Sequence, residues 1–306
     1  MAHLRGNYGD LFLQRLAILE RVVHMNHERW PSQIPAVFSM ESTDQPFRNY
    51  TGVSGLGTFS EVAESGLAPE DAVRQLYDKK LTPLKYMKAL VHSRETMDDD
   101  KFNIFNKKNI QLADSFGQSK DILAADLFNQ GDTNSAALYL AADGENIFDT
   151  AHLIDSAGTG DNLLTGADLS VTSLQSAFTL LRRTKDDRGL PMMMKGNKLI
   201  VPMELEFKAA QLVKSVDDSS TTDRAISSFV DQNYSYMVWD YLTDASAWGV
   251  RSNFADKTEG WIWLTRQSMD LNSDVDIRTE SLVTVASERF AYGCVDWRGF
   301  VKNPGA

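Results

Sequence analysis

The chain has 306 residues, 42% apolar and 24% charged, with a formal net charge of −11. Such a length exceeds one simple core, and such a composition excludes disorder. The acidic balance excludes a dedicated nucleic-acid clamp, which needs a dense basic face, although not a protein that lies beside DNA without gripping it.

Phe12, Leu16, Leu19 and Val23 recur at helical spacing and predict a short amphipathic helix. Pro31, Pro35 and Pro46 then break regularity, so residues 30 to 50 are expected to run extended as an arm. The glycine-rich "TGVSGLGTFSEVAESG" and the later "KKLTPLKYMKALVHSRE" suggest two extended limbs with a long connection, from Thr51 to Glu95. With little apolar matter of its own, such a hairpin is expected to project from the body. Asp98, Asp99 and Asp100 have the character of a helix start, because acidic residues complement the positive end of a helix. Phe105, Leu112, Phe116, Leu123 and Leu127 then carry a helical period up to Gly131, giving the longest helix of the chain.

Thr172-Ser-Leu-Gln175 has capping-box spacing ahead of Ala177, Phe178 and Leu181. "KLIVP" reads as a buried strand, and Pro202 opens a helix carrying Leu205, Ala209 and Leu212. Beyond Met237 strands dominate: "MVWDYL", "GWIWLT", "SLVTVA" and "RFAYGCVDW". In the closing strand Phe290, Tyr292 and Cys294 fall on one face and Ala291, Gly293 and Val295 on the other. Both sets are apolar or small, so this strand is expected to be covered on both sides.

No catalytic, cofactor-binding or metal-binding residue emerges. His24 and His27 share a helix face, but Glu28 is misplaced for a metallopeptidase motif and no third ligand is evident. Gly52, Gly55 and Gly57 run in the wrong order for a nucleotide loop. The three consecutive aspartates cannot share one helix face as cation ligands. The single cysteine, Cys294, excludes an internal disulfide framework, and in an apolar strand it reads as an inert core residue. No run of about 18 apolar residues suggests a membrane span. Met1 to Asp10 lacks the build of a secretory signal. The expectation is a soluble, intracellularly made α+β protein that is not an enzyme.

The order of elements resembles the major capsid proteins of tailed phages, the Hong Kong 97-type fold, with the closest likeness to the Mu-like major head subunit group. The residues that carry it are "IFDTAHLIDSAGTGDNLLTGADLSVTSLQSAFTLLRRTKDDRGLPM", with its "kD-x-x-G" turn; "KLIVPMELEFKAAQLVKS"; "SERFAYGCVDWRGFVKN"; and "VHSRETMDDD" leading into the long helix. The resemblance implies an N-terminal arm over 1–48 and an extended loop over 49–97. It further implies a peripheral domain over 98–149 and 268–306, and an axial domain over 150–267. The last strand would then lie in the long peripheral sheet, with Asp296 and Gly299 turning its end. Phe105, Leu112, Phe116, Phe290 and Tyr292 would be critical to that fold.

The implied function is a shell subunit, associating with itself in hexamers and pentamers around packaged double-stranded DNA held non-specifically. A portal, a decoration protein and a scaffold are the other implied partners. The arm begins almost at Met1, so the scaffold is expected to be a separate protein. Assembly would occur in the bacterial host cytoplasm, and the product is the virion capsid. Within an acidic chain, Arg74, Lys79, Lys80, Lys85 and Lys88 give the loop a basic bias. They are expected to meet an acidic surface of a neighbour, near Asp98 to Asp100. Lys79, Lys80, Lys85 and Asn303 are types used in a self-crosslink by one member of the group, but no crosslink is expected here. Two other readings stay open: an encapsulin-like compartment of the same fold, and an acidic two-domain hydrolase.

Overall fold

The computed structural model describes residues 30–99, 104–154, 158–214, 234–256, 260–276 and 278–306. The helix expected around Phe12 to Val23, His24 with His27, and Asp100 lie outside them. In chain order the strands are β1 (Ser39–Ser42), β2 (Arg48–Val53), β3 (Gln75–Leu81), β4 (Leu84–His92), β5 (His152–Ile154) and β6 (Gly158–Gly160). They continue as β7 (Gly196–Val201), β8 (Ser235–Val238), β9 (Trp248–Ser252), β10 (Trp261–Asp276), β11 (Ser281–Cys294) and β12 (Phe300–Asn303). The helices are α1 (Arg94–Asp98), α2 (Ile104–Gln130), α3 (Val171–Arg183) and α4 (Glu206–Lys214).

Two four-stranded sheets organise the chain. The first runs β1-β10-β11-β4. Its centre is the long antiparallel pair β10 and β11, whose register shifts between Thr265 and Asp270. On one face lies α2, whose 27 residues span about 40 Å at the usual helical rise. Leu112, Ala113 and Phe116 pack against Met269, Leu271 and Ala286. One end of α2 sends Leu127 and Phe128 into a larger core with Trp261, Trp263, Phe290, Tyr292 and Cys294. Ile262, Leu264 and Ala291 face the other way, beneath Tyr50 and Leu81. β11 is therefore central and covered on both sides, as the alternation of its residues requires. Phe105 belongs to α2 by position.

The segment from residue 30 is bound to the long helix α2. The Trp30 indole N–H donates to Asp121 Oδ2 (2.6 Å) and the Ser32 hydroxyl to Asp121 Oδ1 (2.8 Å). A side chain at Gly117 would collide with the Trp30 ring at 2.5 Å, so the helix needs glycine there to admit Trp30. β1 then pairs in parallel with β10.

The second sheet runs β12-β9-β7-β8. Leu199, Val201, Val250 and Val301 pack with Leu174, Ala177 and Leu181 of α3 and Ala209 of α4. Ile200 and Phe300 point into the larger core instead. Adjacent residues of β12 thus join two cores.

Several local expectations are corrected. The capping box of α3 is Ser170 with Ser173, two residues before the expected Thr172, because Ser170 supplies the extended backbone that an N-cap requires. Asp98 ends the short helix α1 and Asp99 is its C-cap, so these two close a helix where their charge suggested the start of one. The second limb of the hairpin is β3, paired with β2. Leu84–His92, expected in that limb, instead pairs with β11 as the edge of the first sheet. Asp296 and Gly299 do form a turn: Asp296 Oδ1 accepts from the Arg298 N–H at 2.9 Å, and Gly299 takes φ of 125°, a conformation that favours glycine. That turn carries the chain out of the first sheet and into the second, where Phe300–Asn303 pairs antiparallel with β9.

Candidate functional site

The projecting feature is the hairpin of β2 and β3 with the segment 54–74 between them, which contains no strand or helix. Its base is seated firmly. Tyr50 and Leu81 close a small apolar core with Ile262, Leu264 and Ala291. The Tyr50 hydroxyl donates to Glu41 Oε2 at 2.8 Å, and Arg48 pairs with the same carboxylate at 2.8 Å.

The basic residues expected to reach a neighbour divide into two sets. Lys79 turns inward, donating to the carbonyls of Ala137 (2.9 Å) and Leu140 (2.7 Å). Burial depresses its pKa below the usual lysine range. Lys80 lies over the Phe47 ring at 4.0 Å. Lys88 donates to Ser115 Oγ of α2 at 3.3 Å. Arg74 and Lys85 are exposed, Arg74 at the neck of the hairpin, where its N–H donates to Ser54 Oγ at 2.9 Å and its carbonyl accepts from the Ser54 N–H. Asp99 is exposed at the far end of β4, beyond α1.

Past the neck the chain changes character. Residues 55–73 carry Glu61, Glu64, Glu70 and Asp71 and no lysine or arginine. Phe59 and Leu67 are wholly exposed, Leu56 and Val73 largely so, and Val62 in part. Apolar side chains of this size, left uncovered together on a loop, mark a contact surface. The neck itself is held by the body. The Gly55 N–H donates to both carboxylate oxygens of Asp187 at 3.1 Å, and Arg188 reaches the Gly55 carbonyl, Asp71 and the Ala72 carbonyl.

Several polar residues outside the basic set lie deep in the body. His152 stacks on Trp297 with ring centroids 4.2 Å apart, between Asp143 (2.7 Å from Nδ1) and Asn162 (3.1 Å from Nε2). Lys302 caps the C-terminal end of α2. Asn303 is buried and ties the chain end to Ala167, Thr165 and Gly305. Strand residues with polar side chains read as solvent-facing, so the sequence pattern did not mark their burial. The Cys294 thiol is fully buried, and burial pushes its pKa well up, which suits an inert core group. Among the described residues no group of three or more His, Cys, Asp or Glu could hold a metal.

The model of the phage capsid protein family matches residues 77–303. No curated protein matches the sequence. Among solved structures, that of Microbacterium phage Oxtober96 is similar with a TM-score of 0.59 at 13% identity, over 90% of this chain and 91% of that one. The capsid of cyanophage P-SCSP1u gives 0.55 at 9% identity, over 88% and 86%. A virus-like particle from Pyrococcus furiosus gives 0.51 at 10%, over 94% and 98%. The chain belongs to the phage capsid protein family. It is a structural major capsid protein with the Hong Kong 97-type fold, a component of the virion capsid that forms an icosahedral shell, and not a hydrolase. The family match does not single out the Mu-like group.

Proposed function

We propose that the subunit assembles into hexamers and pentamers in which segment 55–73 of each copy lies on a neighbour. The shell encloses double-stranded DNA without gripping it. The observation that carries this reading is the loop: Phe59 and Leu67 are wholly exposed, yet the base of the same hairpin is tightly seated. Side chains of this kind order and bury themselves on association, and weak contacts repeated through closed symmetry give a stable shell.

In this reading 1–48 is the arm, 49–97 the extended loop, 98–149 with 268–306 the peripheral domain and 150–267 the axial domain. β10 runs through the border between the two domains, and β12 links the sheets. A portal, a separate scaffolding protein and, where present, a decoration protein complete the particle, which is built in the bacterial host cytoplasm.

Replacing Thr58–Glu70 by two glycines leaves the neck and both strands intact. The variant is expected to stay folded and soluble and to form no shells in electron micrographs or sedimentation. Shells of normal yield would sink the reading. Nucleic acid extracted from wild-type particles separates a genome container from a cargo compartment.

A further inference from the structure

We infer that the turn between α3 and β7, at Asp186 to Gly189, is a latch that sets the direction in which the extended loop leaves the subunit, with Asp187 and Arg188 as its positioning residues. The sequence builds this turn rigidly. Asp186 Oδ1 accepts the N–H groups of Arg188 (3.0 Å) and Leu190 (2.8 Å). The Gly189 N–H closes back on the Asp186 carbonyl at 3.0 Å, and Gly189 sits at φ of 80°, where a side chain would be strained. The two residues between them are thereby aimed at the hairpin.

Each grips both limbs of the neck or its key amide. Asp187, only 4% exposed, accepts the Gly55 N–H with both oxygens. Arg188 uses its planar fork on three acceptors: the Gly55 carbonyl (3.2 Å), Asp71 Oδ1 (2.9 Å) and the Ala72 carbonyl (2.8 Å). Asp71 spans the neck in turn, taking the Gly57 N–H at 2.7 Å. The Gly57 N–H, reinforced by Arg188, holds the Asp71 carboxyl below the usual range, so the pairing persists in mild acid. Gly55 lies against the turn: a Cβ there would meet Asp186 and Asp187 at ordinary contact distances of 3.4 and 3.5 Å. These contacts fall one to three residues beyond the last hydrogen bonds of the hairpin strands, where an unsupported loop would be free to pivot. The clamp is made wholly within one subunit, so it exists before any neighbour arrives. Its consequence for assembly rests on the loop reading above, whereas its existence does not.

The test is amide hydrogen exchange on the unassembled, full-length subunit. In Arg188→Ala, and separately in Asp187→Asn, exchange at Gly55 and Gly57 is expected to quicken about tenfold, the scale of one lost charge-assisted hydrogen bond. Exchange within β10 and β11 is expected to stay unchanged. Arg188→Lys, which keeps the charge but loses the fork, is expected to behave like the alanine variant. Shell formation by Arg188→Ala is then expected to slow by a similar factor. Unchanged exchange at Gly55 and Gly57 overturns the latch, whatever the loop replacement shows about assembly. Quickened exchange with normal shell formation overturns its role in setting the loop's direction.

Discussion

Lys302 and Glu288 are two charges with almost no water around them, and the fold treats them differently. The Lys302 ammonium donates to the Phe128 and Asn129 carbonyls at the end of α2 and to Asp132 at 2.9 Å. The negative end of a helix is a favourable place for a cation. Glu288, on β11, has a less generous setting, paired with Lys120 of α2 at 3.3 Å. Burial raises its carboxyl above the ordinary 4.5, and Lys120 only partly counters that. Between 4.5 and the raised value the folded state holds a proton that the unfolded state has released, so stability falls as pH rises through that window. Glu288→Gln removes the cost of burying the charge, and Lys120 can turn to water. Its thermal midpoint at pH 7 is therefore expected to exceed that of the wild type, and the gain to vanish below pH 4.5. A lower midpoint at pH 7 would show that attraction to Lys120 outweighs burial.

At the scale of elements, β11 organises the molecule. Phe290 stacks on Trp263 (4.7 Å between centroids) and on Tyr86 (4.3 Å) from the neighbouring strands. Truncating so buried an aromatic costs about 3 to 5 kcal/mol, out of a total of about 5 to 15 for a typical domain. Phe290→Ala is expected to yield insoluble or unfolded subunits, in contrast to the soluble loop replacement; solubility and circular dichroism of the two variants check this. The place of β11 was legible because its residues alternate in kind and are apolar on both faces, and α2 was legible from Leu112, Phe116 and Leu127. β9 was not. "WGVRS" is buried at every position, but it contains an arginine and a serine and shows no two-residue period. β4 was misplaced for the opposite reason, since an edge strand with Leu84, Met87 and Val91 exposed has the pattern of a projecting limb. The route of β12 was hidden too, because a turn at Gly299 does not say which sheet receives the strand that follows.

For the whole molecule, charge is the property that assembly must reconcile. Residues 51 to 95 pooled carry equal numbers of basic and acidic side chains, but the lysines belong to the seated base and to β4, and the part that projects is acidic. Copies that each carry −11 repel as they converge, and the acids on the projecting segments bring that repulsion to the contact. Salt screens such repulsion over about 10 Å at 0.1 M. Shell yield of the wild type is therefore expected to rise from low to moderate ionic strength. Neutralising Glu61, Glu64 and Glu70 together, each to Gln, moves the formal charge from −11 to −8, since −11 + 3 = −8. Asp71 is left alone because it serves the neck. The triple variant is expected to assemble at lower salt than the wild type and to show a flatter dependence, read by light scattering across a salt series. Individual exposed charges count for little, roughly 0 to 1 kcal/mol, so the difference grows from repetition around the shell. A yield that falls with salt, and a triple variant that assembles worse, would mean that the acidic segment is held by attraction to a basic neighbour, and the contact would then have to be sought around Lys85 and Arg289, cross-strand partners on β4 and β11.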